Sequence, residues 1–296
     1  MNYQWYPGHM TKAKRMMQED ARLVDLIIEL VDARAPMSSR NPDIDEIGKG
    51  KLRILLLNKS DLADEKYNAL WKDFFKEKGF FVQEINARSG AGIKEIMPLI
   101  QEACREKTER DRKRGILNRP VRAMVSGIPN VGKSTFINSF AGKACTRTGN
   151  KPGVTKGKQW IRLNKQVELL DTPGILWPRF ENQEVGKRLA FIGSINDEIL
   201  NKEELAMELL RFMMKQYPEV LKERYGIERE QSQELGDVVL NSALEQIAKS
   251  RSCLLKGNEY DYKKAANLFI DDYRSGKLGR ITLEFPPEET GEALKR

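Results

Sequence analysis

The sequence predicts an α/β fold, a doubly wound and mostly parallel sheet followed by an all-helical C-terminal domain. Three observations carry this. Short apolar runs alternate with helix-like segments through the first two-thirds of the chain. A glycine-rich loop falls between a strand-like and a helix-like segment, and after about Asn196 the strand pattern stops.

In chain order, residues 23–31 (LVDLIIELV), 52–57 (LRILLL), 80–85 and Val121–Ser126 (VRAMVS) read as strands. They are short, β-branched or leucine-rich and apolar on both faces, as strands covered by helices must be. Residues 166–170 (QVELL) read as a further strand, preceded by a more polar partner around 159–163. Between the strands, 67–77 and 93–107 have helical spacing, and Lys133–Ala141 is expected to be a helix opening from the glycine loop. Beyond Asn196, residues 202–217, Pro218–Tyr225, 233–249 and 261–275 read as helices, with Leu205, Leu209, Phe212 and Met213 marking one apolar face. The predicted domains are 1–180 and 197–285, and the charged tail from Pro286 is expected to fray.

Composition narrows the chemistry. A chain of 296 residues suits about two domains. With 40% apolar and 32% charged residues it can bury a real core, which excludes wholesale disorder. Cys104, Cys145 and Cys253 are too few and too scattered for a disulfide framework or a Cys/His metal cluster, and suit a reducing compartment. The solitary histidine, His9, excludes a His-rich zinc site. No long uncharged apolar run is present and the N-terminus lacks a signal-peptide core, so a cytoplasmic protein without a membrane span is expected. The net charge of +8 is uneven: residues 1–196 carry 35 basic and 23 acidic side chains, residues 197–296 carry 16 and 20. From Arg112 to Val167 there are 13 Lys and Arg and no Asp or Glu, a stretch that suits a polyanion, although charge alone also fits a solvated basic face.

The motifs specify which polyanion. Gly127-Ile128-Pro129-Asn130-Val131-Gly132-Lys133-Ser134 matches G-x-x-x-x-G-K-[ST] between a predicted strand and a predicted helix. In that context backbone N–H groups wrap phosphates at the positive end of a helix, Lys133 neutralises the β- and γ-phosphates, and Ser134 offers an oxygen to Mg²⁺. Asp171-Thr172-Pro173-Gly174 ends another strand; its carboxylate suits the Mg²⁺ shell and the Gly174 N–H the γ-phosphate. Thr155, in Pro152-Gly153-Val154-Thr155, offers a further hydroxyl to the same metal. Asn58-Lys59-Ser60-Asp61 follows the strand 52–57 and reads guanine, because the Asp carboxylate accepts both N1–H and the exocyclic amino group, which adenine lacks. Asn86-Ala87-Arg88 follows the strand 80–85 where a backbone N–H can meet guanine O6.

These residues resemble the guanine-nucleotide motifs of the P-loop GTPases in an unusual order, with N-K-x-D ahead of the phosphate loop. That order is similar to the circularly permuted GTPases. QWYPGHM, DARAPMSSRNP, GIPNVGKS, DTPGILWP and the closing YDYKKAANLFIDDYRSGKLGRITLE together resemble the ribosome biogenesis GTPase A family (the YlqF type) over nearly the whole chain. The resemblance implies a circularly permuted P-loop GTPase sheet with a helical C-terminal domain that contacts ribosomal RNA, acting late in assembly of the large (50S) ribosomal subunit. It also implies GTP or GDP with Mg²⁺ as ligands, with Asn58, Lys59, Asp61, Asn86, Ala87, Asn130, Val131, Gly132, Lys133, Ser134, Thr135, Thr155 and Gly174 around the nucleotide. Asn130 resembles the asparagine of potassium-stimulated GTPases, which implies K⁺ as well. Family members often read Ser-Ala where this chain reads Asn86-Ala87, a departure with little consequence if the contact is through backbone.

In many GTPases a glutamine after D-x-x-G orients the attacking water; here that position is Ile175, which cannot. His9 is the candidate replacement, since it titrates near neutrality in a glycine-containing segment, and the resemblance also favours it. The bland alternative is that it pins the N-terminus or touches RNA. Ile175 equally suits a GTP-binding module with negligible turnover. A permuted GTPase of the small subunit is disfavoured, because neither an added oligonucleotide-binding barrel nor a clustered Cys/His zinc module is visible. The protein is expected to act as a monomer. The γ-phosphate-sensing residues 171–174 lie beside the exit toward the helical domain, so nucleotide state is expected to reorient that domain.

Overall fold

The computed structural model describes residues 10–117, 119–146, 159–174, 176, 182–228 and 235–287, with the side chains of 10–13 excepted. Two compact units emerge, one of Met1–Leu189 with Thr282–Arg296 and one of Ala190–Ile281.

The first unit is built on six strands, β1 (Leu26–Asp32), β2 (Leu52–Asn58), β3 (Phe81–Ile85), β4 (Val121–Ser126), β5 (Gln159–Arg162) and β6 (Val167–Asp171). Their order is β3-β2-β1-β4-β6-β5, parallel throughout except for the β5–β6 pair. The chain winds outward from β1 to β3, then returns to lay β4 on the other side of β1. This reversal creates a switch point at the carboxyl ends of β1 and β4, where open α/β sheets bind ligands.

Every residue of β1 is buried, including the acidic Glu29. An unpaired carboxylate there would carry a heavy desolvation cost. Arg40 meets both oxygens of Glu29 at 3.1 and 3.2 Å, and Arg53 adds a third contact at 2.7 Å.

Helices α1 (Met10–Ala21), α2 (Asp43–Ile47), α3 (Glu65–Glu77), α4 (Ile96–Ala103), α5 (Arg105–Lys113) and α6 (Lys133–Ala141) accompany the sheet. The structure divides the expected helix 93–107 in two: Cys104, at φ −96° and ψ 6°, is non-helical and separates α4 from α5. The apolar face of α4 buries Ile96 and Ile100, whereas α5 (REKTERDRK) buries nothing and is helical by propensity and i,i+4 pairs such as Lys107–Asp111 at 2.9 Å. Trp71 and Phe75 of α3 pack with Val31, Leu55, Leu57 and Val82 under one face of the sheet.

Helix α7 (Gln183–Phe191) spans the division at Leu189/Ala190 and is a helix that the sequence pattern does not announce. The second unit contains α8 (Lys202–Gln216), α9 (Pro218–Tyr225), α10 (Asp237–Ser250) and α11 (Tyr262–Arg274). Asn201 caps α8 by accepting from the Glu203 and Glu204 amides, and Pro218 opens α9 at a position where its missing N–H costs nothing. Leu205, Leu209, Met213, Leu240, Leu244, Ile247, Phe269 and Ile270 form its core.

The second unit runs from Ala190 to Ile281. Residues 282–285 belong to the first unit. Burial there is the physical reason: Thr282 and Leu283 are buried, the Trp71 indole donates to the Glu284 carbonyl at 2.8 Å, and the Phe285 ring sits 4.6 Å from Tyr67. No helix among the described residues is long and apolar enough to cross a membrane.

Candidate functional site

Parallel strands deliver their carboxyl ends to one edge of the sheet, and there Asp32, Asn58, Asn86, Gly127 and Asp171 arrive from five different strands. The loop after β4 turns into α6 with Asn130 at φ 59° and Gly132 at φ 100°. Gly132 is required twice over: a side chain there would be strained, and its Cβ would stand 2.4 Å from the Asn58 Nδ2. Ser134 and Thr135, half-buried, occupy the first turn of α6 with its N-terminal amides.

Asn58 is the residue that joins the two motifs, though 69 positions separate it from Gly127. Its Nδ2 donates to the Val131 carbonyl at 2.7 Å, and its Oδ1 accepts from the Ala87 amide at 3.0 Å. One buried carboxamide therefore fixes the phosphate loop against the loop after β3. Removing it would orphan a buried carbonyl and a buried amide, each worth about 1–3 kcal/mol.

Lys59, at φ 59°, donates to the Asn130 carbonyl at 3.0 Å and pairs with Asp32 at 3.0 Å. Asp61 follows in a single 3₁₀ turn (Ser60–Leu62), exposed, with its carboxylate unbonded among the described residues. It has therefore both acceptor oxygens available to a base.

Asn86 shapes the loop after β3. Its Oδ1 accepts from the Arg88 and Ser89 amides at 2.9 and 3.0 Å, closing the loop locally, while the Ala87 amide donates to Asn58.

The phosphate end carries two buried charges. Lys133 donates to the Gly127 and Ile128 carbonyls at 2.9 and 3.1 Å, which leaves one of its three donors. Burial pushes its pKa down to about 8, against the opposing pull of Asp171. Burial likewise pushes Asp171 up to about 6, with Lys133 opposing. Neither oxygen of Asp171 has a hydrogen-bond partner among the described residues. A buried carboxylate with both oxygens orphaned, beside a lysine held below its ordinary pKa, suits a site completed by a cation and phosphates. Thr172 anchors this corner by donating to the Val125 carbonyl at 2.8 Å. Gly174 approaches so closely that a Cβ on it would sit 2.6 Å from the Lys133 Nζ and 3.0 Å from the Pro129 nitrogen.

The structure thus gathers Asn58, Lys59, Asn86, Ala87, Asn130, Val131, Gly132, Lys133, Asp171 and Gly174 along one edge. His9, Thr155 and Ile175 lie outside the described residues. The acid-free stretch is less free than its composition suggests, because Arg119 and Arg122 pair with Asp25 and Glu168 at 3.4 and 3.3 Å. Among the described residues no three His, Cys, Asp or Glu side chains cluster as a metal site would require.

Asp32 is a buried acid at this edge that motif reasoning passes over. It is fully buried, and Arg34 grips both its oxygens at 2.9 Å while Lys59 reaches one of them. Burial alone would raise its pKa, but these two cations hold it well below the usual carboxylate range. An acidic residue closing an apolar strand next to the topological reversal is the signal that could have found it.

Known proteins resemble this chain along most of its length. The profile of the 50S ribosome-binding GTPase family matches residues 122–242. Ribosome biogenesis GTPase A of Bacillus cereus is 50% identical over the whole of this chain and 97% of its own length. The protein of the same name from Thermotoga maritima is 34% identical, covering 97% of this chain and 95% of its own. Among solved structures, GNP-bound YlqF from T. maritima superposes with a TM-score of 0.64 at 30% identity, covering 93% of this chain and 98% of that one.

Proposed function

Because the chain belongs to the ribosome biogenesis GTPase A family, we propose that this site hydrolyses GTP as a timed step in late maturation of the large (50S) ribosomal subunit, on the pre-ribosomal particle and its rRNA. It is a GTPase acting in ribosome biogenesis. The observation that carries the reading of the site is the bridge formed by Asn58 and Lys59 to the carbonyls of Val131 and Asn130, which ties the N-K-x-D turn to the phosphate loop.

In this reading Asp61 accepts the guanine N1–H and amino group, the Ala87 amide would meet O6 by sharing the proton it now gives to Asn58, and Lys133 with the amides of residues 130–135 neutralises the phosphates. Asp171, with its two unpartnered oxygens, would hold Mg²⁺ together with the hydroxyls of Ser134 and Thr155. That ion would screen the developing charge between the β- and γ-phosphates. Asn130 is the residue that would hold K⁺. Water, oriented by His9, attacks the γ-phosphorus in line; the bond to the β–γ bridging oxygen breaks and GDP and phosphate leave. The Gly174 amide reports the presence of the γ-phosphate. The protein works as a cytoplasmic monomer in this account.

Co-sedimentation with separated ribosomal subunits tests the assignment, run with GDP or a non-hydrolysable GTP analogue across a salt series. Binding to the large subunit that strengthens with the GTP analogue and weakens with salt is expected. Equal binding to both subunits, or none that depends on nucleotide, would overturn the reading.

A further inference from the structure

After the helical unit the chain returns to the first unit, and the few residues that return are bonded almost one by one. Thr282, buried, accepts from the Asp64 amide through its Oγ1 at 3.0 Å. The Leu283 amide donates to the Arg34 carbonyl at 2.8 Å. Glu284 accepts from the Ser38 amide and hydroxyl at 2.9 and 2.8 Å and from Arg188 at 2.9 Å.

Two of these contacts bracket the guanine-reading turn. Asp64 lies three residues after Asp61 and caps α3 by accepting from the Lys66 amide. Arg34 holds Asp32, Asp32 holds Lys59, and Lys59 reaches the phosphate loop through Asn130. The turn 58–64 is held as well by Asn58, by Ser60, whose hydroxyl donates to the Ile85 carbonyl at 3.1 Å and whose carbonyl accepts from the Asn68 side chain at 2.9 Å, and by the buried Ala63. Thr282 adds the hydrogen bond at Asp64, where the turn that carries Asp61 enters α3.

We propose that the returning segment 282–285 is a positioning element of the guanine site, with Thr282 setting the placement of Asp61. This rests on Asp61 being the guanine reader. Thr282 touches no nucleotide; it acts by holding the Asp64 amide, and so the pitch of the turn. The covalent path gives the arrangement a consequence. The helical unit leaves at Leu189/Ala190 and rejoins at Ile281/Thr282, and the Arg188–Glu284 ion pair ties those two ends together within the first unit. A ligand that displaces the returning end would therefore alter guanine affinity, and guanine occupancy would alter that ligand's affinity by the same factor.

The test is Thr282→Val, which keeps shape and removes the hydroxyl, with Thr282→Ser as the rescuing variant, in the full-length protein. GDP and IDP affinities are measured by competition against a fluorescent GDP, since IDP lacks the amino group that Asp61 recognises. Thr282→Val should lower the GDP-to-IDP affinity ratio by about fivefold, the net worth of one hydrogen bond, raise the KM for GTP and leave kcat nearly unchanged; Thr282→Ser should restore the ratio. An unchanged ratio, whatever happens to thermal stability, would sink the proposal. Asp61→Asn in parallel separates the two levels. If that variant fails to shift preference toward xanthine nucleotides, the guanine assignment falls; if it shifts and Thr282→Val leaves the ratio intact, only the positioning role falls. Hydrogen exchange on the unaltered protein gives a readout independent of variant stability: GDP should slow exchange in 282–285 together with 58–64, and protection of 58–64 alone would count against the proposal.

Discussion

Replacing Asp171 by Asn should stabilise the nucleotide-free protein and disable the nucleotide-bound one. Burial lifts this carboxyl from 3.8 to about 6 even with Lys133 nearby. Two pKa units correspond to about 3 kcal/mol by which ionisation disfavours the folded state. The sign follows from the direction of the shift. A folded-state pKa above the unfolded value means that the folded protein holds this proton more tightly, so the contribution of Asp171 to stability is most favourable below about pH 4 and falls as pH rises through about 6. Above that, the ionised carboxylate costs the folded state the full amount. An asparagine removes the charge but leaves its own amide without partners, which offsets about 1–2 kcal/mol of the gain. The net, about 1–2 kcal/mol, corresponds to a rise of roughly 3–6 °C in Tm for a unit of this size. Thermal unfolding without nucleotide, run from pH 5 to 8 on both proteins, checks this. The difference should be present at pH 7.5 and shrink toward pH 5, while Mg²⁺-dependent GTP binding by the variant collapses. Parallel Tm–pH curves would refute the idea that Asp171 is held ionised against its environment.

Two further outcomes follow from the site. Gly174→Ala places a methyl 2.6 Å from the Lys133 Nζ and 3.0 Å from the Pro129 nitrogen; GTP affinity measured by fluorescence titration should fall at least tenfold, while Tm without nucleotide changes by less than about 3 °C. His9→Ala should depress single-turnover hydrolysis by about 10²–10⁴-fold with GTP affinity nearly unchanged, and equal loss of both would remove His9 from the chemistry.

Much of the fold was legible because its signals are local. The runs of β1, β2, β4 and β6 are each about five to seven residues long and mostly buried, β1 along its whole length, and such runs can hardly be anything but covered strands. Lys133–Ala141 was legible because a glycine loop sets its start and Gly142, at φ 66°, its end. Helix α7 was not, since QEVGKRLAF contains a glycine and a broken apolar pattern. Nor was the break at Cys104, because helical spacing continues across it while the apolar face stops.

The candidate site divides in the same way. Glycines at positive φ, a lysine and serine at a helix start, and an aspartate ending a strand are chemistry written into consecutive residues, so the phosphate loop, the N-K-x-D turn and the D-x-x-G corner were each determined by the sequence alone. Their assembly was not. That Asn58 bonds Val131, that Asp32 holds Lys59, and that Thr282 supports Asp64 across 218 positions depends on strand order and on where the chain returns after its helical excursion. Local motifs constrain backbone conformation within a few residues, whereas contacts between distant residues exist only once the sheet has set its order and buried polar groups have been forced to find partners. The sequence determined which nucleotide parts the protein carries; the tertiary structure decided which residues hold those parts in register.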